Sequence, residues 1–162
     1  MKPVLACALA ALLLAAPAAA QKTPDNALLS ASEPSRIAAY LQELGYRATL
    51  GKQADGDPMI ETSMAGYNVR ILFMSCTDNR ACEDIQFFVG IATRAKLSLD
   101  QVNRFNRERR FARLYLDDDR DPLMEQDISM IGPGISAAAF RDTVRVFERQ
   151  VGTLDRLVSE AR

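Results

Sequence analysis

Histidine is missing from all 162 residues, and that absence excludes more chemistry than any motif in the chain suggests. Imidazole is the commonest general base near neutral pH and the commonest protein metal ligand. Without it a Ser-His-Asp or Cys-His arrangement is impossible, and a zinc site would need carboxylates and cysteines alone. Tryptophan is absent too, and cysteine occurs only three times. There is no glycine-rich loop of the phosphate-cradling kind. The net charge of −1 lacks the basic excess by which nucleic-acid binders displace counterions. No pair of carboxylates is singled out by its spacing for acid–base work. We expect a protein that is not an enzyme, with no catalytic residue, no cofactor, no metal and no nucleic-acid partner.

Long apolar stretches are also scarce. The one that exists, residues 4–16, follows Lys2 and ends at Pro17, with Ala18 and Ala20 supplying small side chains just before Gln21. Charge, apolar core and small residues in that order form a secretory signal peptide, cleaved after Ala20. The run is too short for a mature membrane anchor. A lipoprotein reading through Cys7 is disfavoured, because only a few apolar residues precede it. Removing twenty residues leaves 142, enough for one domain. Lys2 is the only charge lost, so the mature balance is 19 basic against 21 acidic side chains. We expect a periplasmic or secreted protein with no membrane span in its mature form.

In such a compartment the remaining pair, Cys76 and Cys82, reads as a disulfide closing a hairpin around the polar segment 77–81. A loop this short would contribute about 2 kcal/mol. A redox-active dithiol is the alternative, although five intervening residues depart from the Cys-x-x-Cys geometry that lowers a thiol pKa.

Residues 21–31 show no periodicity and read as a flexible leader; a single domain follows over residues 32–162. A helix is expected from Ser32–Ser35 to Gly45, with Ile37, Tyr40, Leu41 and Leu44 on one stripe. Strands are expected at 46–52 and 59–64, about the Asp55-Gly56 turn. Beyond Ala65-Gly66, Tyr67, Val69, Ile71 and Phe73 alternate with polar residues, as do Ile85, Phe87, Val89 and Ile91 past the cysteines. Leu72, Met74 and Phe88 occupy the opposite face, which is either covered or an exposed apolar patch. Ser98 and Gln101 form a capping box for a second helix. Strands at 111–116 and 123–131 flank an acidic turn, and Ser136 caps a long last helix striped by Phe140, Val144, Phe147, Val151, Leu154 and Val158. This order predicts an α+β domain: an antiparallel sheet of five to six strands flanked by helices. The last stripe could instead dock on a second copy, giving a homodimer.

Charged clusters have two readings each. Asp117, Asp119 and Asp121 have the spacing of the first calcium-loop ligands, but Pro122 and Ile128 stand where Gly and Glu belong, which favours a solvated turn. Arg104, Arg107, Arg109, Arg110 and Arg113 form a basic cluster, either an anionic-ligand patch or helix-end compensation with surface ion pairing. The Gly132-Pro133-Gly134 loop could hold an anion on free N–H groups, or simply turn the chain.

Residues 99–106 (LDQVNRFN), Arg110-Phe111, Tyr115-Leu116-Asp117 and 123–127 before a glycine-rich loop resemble the YbjN domain family. Leu44-Gly45-Tyr46, the segment 55–58 and the Cys76/Cys82 hairpin fit the same pattern, so the resemblance spans about residues 37–157. Members of that family are described as bacterial sensory transduction regulators. The resemblance implies a fold like type III secretion chaperones, no catalytic residues, and a protein or peptide partner. Phe105 stands where many relatives have Trp, and the export signal means that cytoplasmic roles of relatives do not simply transfer. The candidate binding residues are Asn103, Asn106, Arg107 and Arg110. The two asparagines either fix the helix–strand turn by bonding backbone or contact a ligand.

Overall fold

The computed structural model describes residues 22–161. The expected signal peptide and its expected cleavage after Ala20 lie outside the described residues. Three helices, α1 (Pro34–Glu43), α2 (Leu99–Glu108) and α3 (Ala137–Glu160), alternate with eight strands. Six of these, β2 (Ala48–Lys52), β3 (Pro58–Met64), β4 (Tyr67–Met74), β5 (Asp84–Gly90), β6 (Arg113–Leu116) and β7 (Pro122–Ser129), make one antiparallel sheet in the order β2-β3-β4-β5-β7-β6. The α+β architecture expected from the alternation of patterns is the one observed.

The sheet buries one face. Ile60, Val69, Ile71, Phe73, Ile85, Phe87, Val89, Met124 and Leu114 all point to it and are buried. The α3 stripe closes over them: Phe87 lies 5.3 Å from the Phe147 ring and 6.1 Å from that of Phe140. Burial of each such ring stabilises the fold by about 2–3 kcal/mol. Helix α1 adds Ile37, Tyr40 and Leu41, and the Tyr40 hydroxyl donates to the Ala137 carbonyl at 3.1 Å. Helix α3 is also pinned from outside its stripe, because Tyr46 donates to Glu148 at 2.7 Å and Tyr67 donates to Asp155.

The leader differs from the expectation. Within residues 22–31, β1 (Leu28–Leu29) pairs antiparallel with β8 (Ile135–Ser136), Leu29 and Ala31 are fully buried, and Asp25 is ion-paired with Arg141. Thr23 donates its amide and hydroxyl to the Glu43 carboxylate. A two-residue strand is too short to show a period, which is why the docking has no signature in the sequence. It also explains the glycine loop: at Gly134 (φ +90) a Cβ would lie 2.0 Å from the Leu29 carbonyl oxygen, so only glycine lets β1 approach.

Element boundaries follow local chemistry. Ser98 and Gln101 make the expected capping box, and Ser136 accepts from the Ala139 amide. Strand β6 begins at Arg113, two residues later than expected, because Phe111 takes a left-handed φ of +74 that no strand can contain. Cys76 and Cys82 are joined, and the loop they close reaches the β2–β3 turn, where the Asn79 amide donates to Asp57 and to the Asp55 carbonyl.

Candidate functional site

The second face of the sheet carries no helix among the described residues, which settles the question left by Leu72, Met74 and Phe88. Leu72 and Phe88 are half-buried by their sheet neighbours and Met74 is exposed. A row of directly opposed residues crosses all six strands there: Thr49, Glu61, Arg70, Phe88, Glu125 and Arg113. At one end of the row Glu125, although buried, is satisfied by the Tyr115 hydroxyl and the Arg113 guanidinium. Desolvation, then the bond to Glu125, pushes the Tyr115 phenol up to about 12. At the middle, Arg70 lies over the Phe88 ring, 4.6 Å from its centroid, and leaves Glu61 beside it without an ion pair. A guanidinium stacked on an aromatic face keeps its in-plane donors turned outward.

A trough of about 770 Å³ opens over this row, with Arg47, Thr49, Glu61, Asn68, Arg70 and Phe88 among its lining residues. Gly90 deepens it, since a Cβ there would meet Leu123 at 2.8 Å. The acidic turn forms one wall through Asp117 and Asp121. These carboxylates are already engaged: Asp117 accepts from the Asp121 amide at 2.8 Å, and Asp121 accepts from Lys96 and from the Thr93 amide. The bond from Lys96 holds the Asp121 carboxyl below its ordinary value, the opposite of what a general acid needs. Among the described residues no group of three or more acidic or cysteine side chains is arranged to hold a metal ion.

The candidate binding residues do not form one site. Asn106 bonds the backbone of β6 twice, donating to the Leu114 carbonyl at 2.9 Å and accepting from its amide at 2.8 Å. Neighbouring strand residues point their backbone groups in opposite directions, so both Leu114 groups face away from β7. Asn106 therefore stands in for a seventh strand and closes the sheet edge, the backbone-bonding alternative. Gln42 does part of the same work at the other edge, donating to the Ala48 carbonyl at 2.8 Å. Asn103 is exposed on α2. Arg104 and Arg109 line a groove of about 280 Å³ between α2 and the end of α3, facing Arg156, Glu108 and Glu160 over Phe105. Arg107 and Arg110 lie outside both cavities.

Ion pairing does not explain the basic cluster. Among the described residues, pairs join Arg36 to Glu33, Lys96 to Asp121, Arg113 to Glu125 and Arg141 to Asp25. None involves Arg104, Arg107, Arg109 or Arg110. The sequence left open an exposed apolar patch through Leu72, Met74 and Phe88; of these three Phe88 lines the trough, whose polar lining had no signature in the sequence.

The family model for YbjN, "Putative bacterial sensory transduction regulator", matches residues 33–160. The chain belongs to the YbjN family. The crystal structure of YbjN from E. coli superposes with a TM-score of 0.53 at 18% identity, covering 78% of this chain and 89% of that one. At that identity the likeness establishes the fold. No curated protein matches the chain at a significant level. The family is described as one of regulators.

Proposed function

We propose that this YbjN-family chain is an exported, non-enzymatic binding module whose sheet trough engages a protein or peptide partner. The observation that carries this reading is the uncovered sheet face, with Arg70 stacked on Phe88 and Arg47 nearby. An aromatic shelf carrying outward guanidinium donors suits a chain with an acidic or carbonyl-rich stretch. The test places a photocrosslinking side chain at Asn68, inside the trough, and at Arg149, on the exposed side of α3. Position 68 should capture a discrete partner in cells, and Arg70→Ala should abolish that capture with no loss of Tm. Equal labelling from both positions would refute the reading. Export is tested by the mature N-terminus, which should begin at Gln21.

A second reading rests on the groove between α2 and α3. Arg104, Arg109 and Arg156 face one space there without ion pairs, a fit for a small anionic ligand. A thermal-shift series with di- and tricarboxylates should then raise Tm in wild type and not in Arg104→Gln. Uniformly null shifts would end this second reading.

A further inference from the structure

The corner between α2 and β6 joins three observations that the trough does not use. Phe111 is 71% exposed, the most exposed large apolar side chain among the described residues. Its φ of +74 is a left-handed conformation, which a bulky residue adopts only at a cost that glycine would not incur. Arg107, Arg109 and Arg110 precede it, with Glu108 among them, and take part in none of the described ion pairs.

A structural role accounts for little of this. One cation in the last helical turn, Arg107, is enough to complement the end of α2. The left-handed turn itself serves the fold, since it aims the buried Ala112 inward and starts β6. Glycine or asparagine would make that turn with less strain, so the phenylalanine ring adds nothing the backbone needs. It projects into solvent from a corner held by the Phe105 carbonyl, which accepts the Arg109 amide at 2.9 Å. Phe111, Arg107 and Arg110 line neither cavity described, while Arg109 borders the groove between α2 and α3.

We propose that this corner is a contact point for an anionic lipid surface. The Phe111 ring enters the headgroup layer, and Arg107, Arg109 and Arg110 pair with lipid phosphates. An exposed corner with one aromatic and several guanidiniums without ion pairs fits a deformable surface that offers phosphates in any register. A folded acidic partner would need a pocket matched to the ring, and it is the competing outcome of the test. The proposal does not depend on the trough reading, because the two surfaces share no residue.

Vesicle sedimentation distinguishes these outcomes, with wild type and variants carrying the same N-terminus so that residues 1–20 contribute equally. Wild type should bind equimolar phosphatidylglycerol–phosphatidylcholine vesicles at least tenfold better than phosphatidylcholine alone, with the preference weakening in high salt. Phe111→Gly should lose about tenfold in binding while Tm holds or rises, which excludes misfolding as the cause. The Arg109→Gln/Arg110→Gln double variant should lose about fivefold for each arginine and most of the salt dependence. Three results would overturn the proposal: equal binding to both vesicle types or to neither, variants that bind like wild type, or a polyglutamate peptide that binds more tightly than the vesicles.

Discussion

Asn106 shows how one carboxamide substitutes for a neighbouring strand. Its two bonds satisfy both backbone groups of Leu114, which is 1% exposed and could not be hydrated without opening the edge. Asn106→Ala should cost about 2 kcal/mol in chemical denaturation, the penalty for leaving a buried donor and acceptor unmet. Asn103→Ala, on the exposed side of the same helix, should change stability by less than about 0.5 kcal/mol. Two buried side chains, Thr62 and Gln126, each hold a polar atom with no hydrogen-bond partner among the described residues. Gln126 is 4% exposed among Phe87, Ile128 and their neighbours, and its Oε1 has no hydrogen-bond partner among the described residues. Gln126→Met keeps the volume and removes the orphaned acceptor, so it should raise stability by about 1 kcal/mol, read as a higher Tm. Neither effect is visible in the bare sequence, where Asn106 and Gln126 are two polar letters in amphipathic patterns.

At the scale of elements, what could be read in advance is what repeats locally. The alternation of Tyr67, Val69, Ile71 and Phe73 defines β4, the three-and-four spacing from Phe140 to Val158 defines α3, and Ser98 with Gln101 starts α2. What could not be read depends on distant partners. Strand β1 is two residues long and meets β8 across more than a hundred positions; the open trough depends on which face α1 and α3 choose. The same holds for the arginine cluster, where Arg113 is paired with Glu125 and Arg104, Arg107, Arg109 and Arg110 take part in none of the described ion pairs. The N-terminal segment carries its own pH dependence. The bond from Arg141 holds the Asp25 carboxyl below its ordinary value, and the bonds from Thr23 do the same for Glu43. Lowered folded pKa values mean that these contacts help above the ordinary carboxylate range and are lost as pH falls through and below it. Proteolysis or hydrogen exchange at pH 3 should therefore release residues 22–31 before the sheet opens. Simultaneous loss of both would contradict this.

Across the whole molecule, the alkaline limit is set by phenols bonded to carboxylates. Burial, then the bond to Glu148, pushes the Tyr46 hydroxyl up to about 12, matching Tyr115 beside Glu125. In the unfolded chain tyrosine ionises near 10. A raised folded pKa gives stability that is complete below the unfolded value and disappears as pH climbs through the folded one. Denaturation midpoints should thus fall between pH 10 and 12, and the Tyr46→Phe/Tyr115→Phe double variant should flatten that decline. An unchanged slope in the variant would place the alkaline sensitivity elsewhere.

Chain topology adds a constraint on the order of events. Asp25 meets Arg141 across 116 positions, and Leu28 pairs with Ser136. The first of the described residues are thus completed by residues near the last of them. A polypeptide threaded amino end first, through a ribosomal tunnel or a translocase, cannot close this molecule piece by piece. The β1–β8 pair and the Asp25–Arg141 contact can form only after α3 has emerged, and until then the sheet face that α3 covers is exposed to aggregation.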